Sequence, residues 1–141
     1  VGFSPAGGNI SGADDVALNN PATGDILLYD SIFNKWQNKQ QQRTIINAQT
    51  STSYTLNLND AGALITFDNA GAVTLTVPQN VFAVGDHMII SQFGTGQVTV
   101  AGASGVTVHA TPGPKLFDQW ATAELIMTSS NTWLLVGRLT A

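Results

Sequence analysis

Asp14, Asp15, Asp60, Asp68 and Asp118 are the carboxylates that could serve acid–base chemistry, which needs two of them at a fixed separation in one cleft. Their contexts point elsewhere. Asp60-Ala61-Gly62 and Asp68-Asn69-Ala70-Gly71 are turn signatures, in which an Asx side chain caps its own backbone. Calcium ligation is the alternative use of such oxygens. His87 and His109 fall in different expected strands without His-x-His or Cys/His spacing, so a metal site would need copies of one histidine meeting on a symmetry axis. Ser104 lacks a Gly-x-Ser-x-Gly elbow, and the glycines of Gly94-Thr95-Gly96 and Gly102 to Gly105 suit tight reversals between strands. The expectation is no catalytic residue, no cofactor and no metal.

Trp36, Trp120 and Trp133 are the remaining groups with chemistry to offer, since a flat ring can stack on a sugar face. Trp133 lies in an alternating strand and is expected in the core. Trp120 follows Phe117-Asp118-Gln119 at a strand entrance and is the candidate glycan contact. Trp36 stands with Leu27 and Tyr29 in a short hairpin that has too few neighbours to cover them, and these three are the candidate subunit interface.

Charged residues make up 10% of the 141, against about 25% in an average soluble domain. Gly, Thr, Asn and Ser fill the polar positions, a neutral surface suited to stacking on copies of itself or to meeting sugars. A formal net charge of −4 with scattered bases gives no positive stripe for nucleic acid. No apolar run is long enough for a membrane helix, so neither nucleic-acid binding nor membrane insertion is expected. Val1 is followed by no signal-peptide pattern, and the absent initiator Met reads as a trimmed or truncated start. The chain has no cysteine and hence no disulfide chemistry.

Three segments must position these residues. VGFSPAGGNISGA, residues 1–13, reads as an irregular N-terminal arm. Residues 14–43 hold a turn at Asn20–Gly24, a strand over Ile26–Tyr29, a tight connection and a returning strand over Lys35–Gln37. Lys39–Ser53 is expected as a linker, with a short helix over Asn38–Arg43 as an option.

Residues 44–141 form the C-terminal β domain. Its expected strands are Tyr54–Leu58, Leu64–Phe67, Val73–Val77, His87–Gln92, Gln97–Ala101, Val106–His109, Thr122–Thr128 and Trp133–Leu139. Alternation predicts Tyr54, Leu56 and Leu58 on one face, and Val73, Leu75 and Val77 opposite Thr74 and Thr76. Gly94-Thr95-Gly96 is expected to be a hairpin tip. The fold class is all-β: a small antiparallel sandwich or barrel-like domain preceded by a β-hairpin unit and an irregular arm.

The stretch LNDAGALITFDNAGAVTLTVPQN, then FAVGDHMIISQFGTGQVTVAGASGVTV and NTWLLVGRLTA, resembles a module of tailed-bacteriophage fibre and virion appendage proteins. DVALNNPATGDILLYDSIFNKWQNK resembles a second unit common in the same proteins. Leu18, Pro21, Gly24, Leu27, Tyr29, Asp30 and Trp36 carry the first unit's pattern. Asp60, Gly62, Leu64, Val73, Val77, Pro78, Gly85, Gly94, Gly96, Val98, Gly105, Val106, Trp133 and Gly137 carry the other.

The resemblance implies a homotrimeric structural appendage on a virion capsid or tail. It implies contact with other virion structural proteins through the N-terminal arm and with a host-surface glycan at the distal part. Alternatives are a capsid or tail decoration module without receptor binding, and a surface-polysaccharide hydrolase.

Overall fold

The computed structural model describes residues 14–40 and 44–141, and the chain divides into two compact units between Arg43 and Thr44. The arm expected over residues 1–13 lies outside the described residues.

The first unit is a three-stranded sheet in the order β1-β3-β2, made of β1 (Val16–Ala17), β2 (Asp25–Asp30) and β3 (Lys35–Gln40). The expected hairpin is β2–β3, with Tyr29 directly opposite Trp36. Strand β3 runs through Gln40, which replaces the helix option over Asn38–Arg43 as far as the described residues reach. Local hydrogen bonds fix both turns. Asp30 Oδ1 accepts from Ile32 N at 3.0 Å and Phe33 N at 3.3 Å, and the Tyr29 hydroxyl donates to Asn34 Oδ1. Ala22 N and Asn38 Nδ2 donate to Asp25 Oδ2, and these bonds hold its carboxyl below the usual carboxylate range.

The second unit is all-β, as expected, but its strands are wound differently from the antiparallel sandwich the sequence suggests. Two sheets face each other across one core, and the chain passes from one sheet to the other at each connection except the hairpin turn at Ser130 and Asn131. β4 (Ile46–Gln49), β6 (Leu64–Phe67) and β8 (His87–Gln92) stack in parallel in one sheet. β5 (Ser53–Thr55), β7 (Val73–Val77) and β9 (Val98–Gly102) stack in parallel in the other. This is the connectivity of a short β-solenoid.

β10 (Thr107–Ala110) then crosses back to the first sheet. β11 (Lys115–Leu116) and β12 (Thr122–Ser129) reverse the winding and pair antiparallel with β9 and β8. β13 (Thr132–Gly137) and β14 (Leu139–Thr140) close the stack, giving a six-stranded sheet β10-β13-β12-β8-β6-β4 and a five-stranded sheet β14-β11-β9-β7-β5.

The expected linker over Lys39–Ser53 therefore contains β4, the first strand of the stack. Gly94-Thr95-Gly96 is a corner between sheets and not a hairpin tip, because β8 and β9 belong to different sheets. The expected strand Tyr54–Leu58 ends at Thr55. A 3-10 turn over Leu58–Asp60 follows, capped by Asn57, and it turns Leu58 outward while Leu56 stays buried.

The alternation in β7 is as expected, with Val73, Leu75 and Val77 buried. Together with Ile65, Phe67, Met88, Ile90, Val98, Val100, Leu125 and Leu135 they form the core. Each such side chain stabilises the fold by about 1.5–3 kcal/mol. Trp133 is buried there, edge-on to Phe82 with centroids 5.3 Å apart.

Where the core ends, at β4, the inward positions turn polar. Asn47 Nδ2 donates to Tyr54 Oη at 2.9 Å and to Asp60 Oδ1 at 2.7 Å, and Gln49 Nε2 donates to Asn47 Oδ1 at 2.6 Å. The group closes the open end of the apolar interior with satisfied hydrogen bonds.

Candidate functional site

The corners on one side of the solenoid stack backbone upon backbone, and they build the surface that carries Trp120. Asn69, between β6 and β7, donates through Nδ2 to Thr50 O at 2.6 Å, and its carbonyl accepts from Gly96 N at 2.8 Å. Glycine is required above it: a Cβ at Gly94 would lie 2.2 Å from Asn69 O, and one at Gly96 1.9 Å from Gly71 O.

The next corner, Phe117–Ala121, joins β11 to β12 and hangs on the one before. Trp120 N donates to Gln92 O at 2.6 Å, Gln92 N to Ala121 O at 3.0 Å, and Gln119 Nε2 to Phe93 O at 2.8 Å. The Gln92 side chain is buried and accepts from Val98 N at 3.0 Å, which makes the support rigid.

On this support Trp120 is 65% exposed, with its ring tilted against Phe93 at a centroid distance of 5.1 Å. Its φ is +69°, a left-handed conformation that costs a bulky L-residue about 1–3 kcal/mol. Phe117, in the same corner, is exposed as well. The Arg138 guanidinium lies 4.7 Å over the Phe117 ring and pairs with Asp118 Oδ2 at 2.9 Å. Arg138 comes from the corner between β13 and β14, where its carbonyl accepts from Phe117 N. The arrangement is an aromatic shelf with a charge-balanced polar rim. It offers stacking and hydrogen bonding, and among the described residues it pairs its one carboxylate, Asp118, with Arg138.

The other sequence candidates are dispersed. Asp60 is buried and belongs to the polar closure at β4, where its Oδ2 accepts from Asn57 N at 2.8 Å in a capping box. Asp68, His87 and His109 are exposed at separate places. Among the described residues, no group of three or more His, Cys, Asp and Glu side chains could hold a metal.

A second kind of surface is apolar and uncovered. In the first unit no described side chain from 14 to 39 is buried. Tyr29 and Trp36 meet edge-on at 5.4 Å yet remain 49% and 42% exposed, and Leu27 is exposed with them. At the hairpin tip Ile32 is 86% exposed.

In the second unit the outer faces of the two sheets differ. Ser53, Thr74, Thr99, Lys115 and Thr140 lie in register across the five-stranded sheet and make a hydroxyl-rich face. Across the six-stranded sheet the matching row is Ile46, Leu64, Ile89, Glu124 and Val136, with Ile126 and Leu134 in the next row between His87 and His109. The sequence reading missed this face. Its signal is the failure of alternation in His87–Gln92 and Thr132–Gly137, where apolar side chains occupy outward positions as well as inward ones.

Comparison with known proteins finds no family model and no curated protein that matches the chain. Among the described residues no helix is long and apolar enough to cross a membrane.

Proposed function

We propose that this chain is a structural appendage of a tailed-bacteriophage virion, assembled as a homotrimer and used for attachment to the host surface. The resemblance of both segments to fibre proteins suggests the setting, with the N-terminal arm joining other virion proteins. One observation carries the assembly part: both units leave ordered apolar sheet faces uncovered, Leu27, Tyr29 and Trp36 in the first, and Ile89, Leu134 and Val136 in the second. Exposed apolar area of that kind marks association surfaces, and identical chains provide matching faces around one axis. The Trp120 shelf is the surface that would meet the host glycan, with weak single-site binding multiplied by the number of copies.

The test is particle mass by light scattering. The expected result is a mass of three chains that falls toward one in the Ile89→Glu, Val136→Glu double variant, with the β-sheet circular dichroism retained. A wild-type monomer at every soluble concentration would remove the reading.

A further inference from the structure

We infer that the shelf formed by Trp120, Phe93 and the Asp118–Arg138 pair is a binding site for a neutral pyranose. This deepens the attachment reading above and rests on it for the biological setting, but the site itself is argued from its own geometry.

Trp120 is a poor choice for the corner it occupies. At φ +69° the backbone favours glycine or asparagine. The indole is 65% exposed, so it gains little of the burial that would offset that strain. A position where the local rule is broken without benefit to the fold is a position kept for contact with something outside it. Trp120 N to Gln92 O and Gln119 Nε2 to Phe93 O fix the backbone of the corner, and the Phe93 ring packs against the indole at 5.1 Å, so the platform is largely formed before any ligand arrives.

The rim sets the ligand class. The electron-rich face of an indole attracts the weakly positive C–H face of a pyranose ring. Ring hydroxyls both donate and accept, and the rim offers both functions: Asp118 and the Gln119 carbonyl accept, and Arg138 donates. Arg138 is the cation of this rim, and Asp118 at 2.9 Å balances its charge. An anionic sugar would meet no net positive field here, on a chain whose formal charge is −4. A neutral hexose or N-acetylhexosamine meets no such penalty.

The experiment is saturation-transfer NMR of the intact protein with methyl glucoside, methyl galactoside and N-acetylglucosamine, set against glucuronic acid and N-acetylneuraminic acid. It is repeated on Trp120→Asn, with thermal unfolding of both proteins. At least one neutral sugar should bind, in the millimolar range expected of a single open shelf. Trp120→Asn should weaken it by about tenfold or more while Tm stays within about 4 °C of wild type or rises. Binding of acidic sugars alone would overturn the ligand class. Binding of none, neutral-sugar binding unchanged in Trp120→Asn, or a fall in Tm of more than about 10 °C in that variant, would overturn the site.

Adherence of the protein to bacterial cells separates the two levels. Adherence that survives Trp120→Asn leaves attachment standing and removes the shelf's part in it, while the sugar panel decides whether the shelf binds sugar. Wild-type protein that adheres to no cell removes attachment, while the sugar panel still decides the shelf.

Discussion

Asp60 is 2% exposed and accepts from Asn47 Nδ2, the Tyr54 hydroxyl and Asn57 N. A carboxylate so fully engaged is a closure for the interior, and removing it strands several donors at once. Asp60→Ala should therefore destabilise the second unit by about 2–4 kcal/mol, read as a lower urea midpoint with an unchanged slope. Its partner Tyr54 adds a pH dependence. Burial, and then the adjacent Asp60 carboxylate, raise the phenol's pKa above its ordinary value of 10.0, against hydrogen bonds from Asn47 and Asn57 that lower it. The folded state thus holds this proton more tightly than the unfolded chain does. The contribution is complete below pH 10.0 and is lost as pH rises through the raised pKa. Tyr54→Phe should show less loss of stability than wild type on going from neutral to strongly alkaline solution. An identical alkaline slope in the two proteins would contradict this.

The corners of the solenoid stack as closely as the strand ladders they connect. Gly96 approaches the carbonyl of Gly71 so closely that an added methyl must push two backbones apart, which no side-chain rotation can relieve. Gly96→Ala should cost about 3 kcal/mol or slightly more, checked by urea unfolding, and a loss below that expected for a surface substitution would show that the corners do not touch as described. The same glycines explain what the sequence could and could not reveal. Strand positions β6, β7, β8 and β12 were legible because apolar residues alternate or cluster there between turn residues. Parallel winding was not legible, since a strand facing one core shows the same alternation whichever way its neighbour runs. Gly94-Thr95-Gly96 has hairpin chemistry, yet the glycines serve close stacking on Asn69 and Gly71. β4 was hidden for another reason: its inward residues Asn47 and Gln49 are polar because they end the core. Trp120 was legible as an exposed ring at a strand entrance, but Arg138 joins Asp118 and Phe117 of the same corner only because two corners distant in sequence lie side by side.

The two units differ in what they hold inside, and that difference decides how each must be stabilised. Every buried apolar side chain among the described residues lies between Leu56 and Leu139, so residues 44–141 have a core of their own. The β1-β3-β2 sheet has none, and three short strands without a covered face are marginal in water. If identical neighbours cover Leu27, Tyr29 and Trp36, the order of that sheet must depend on protein concentration by mass action, whereas the core of 44–141 has no such requirement. Hydrogen exchange read by mass spectrometry across a dilution series tests this directly. Amides of β2 and β3 should lose protection as the protein is diluted, while those of Leu75 and Val100 keep theirs. A fragment of residues 44–141 should unfold cooperatively, and a peptide of residues 14–43 alone should show no sheet signal. Concentration-independent protection of β2 and β3, equal to that of the core, would mean that this small sheet is stable without a partner, and the case for copies packing through Tyr29 and Trp36 would fall with it.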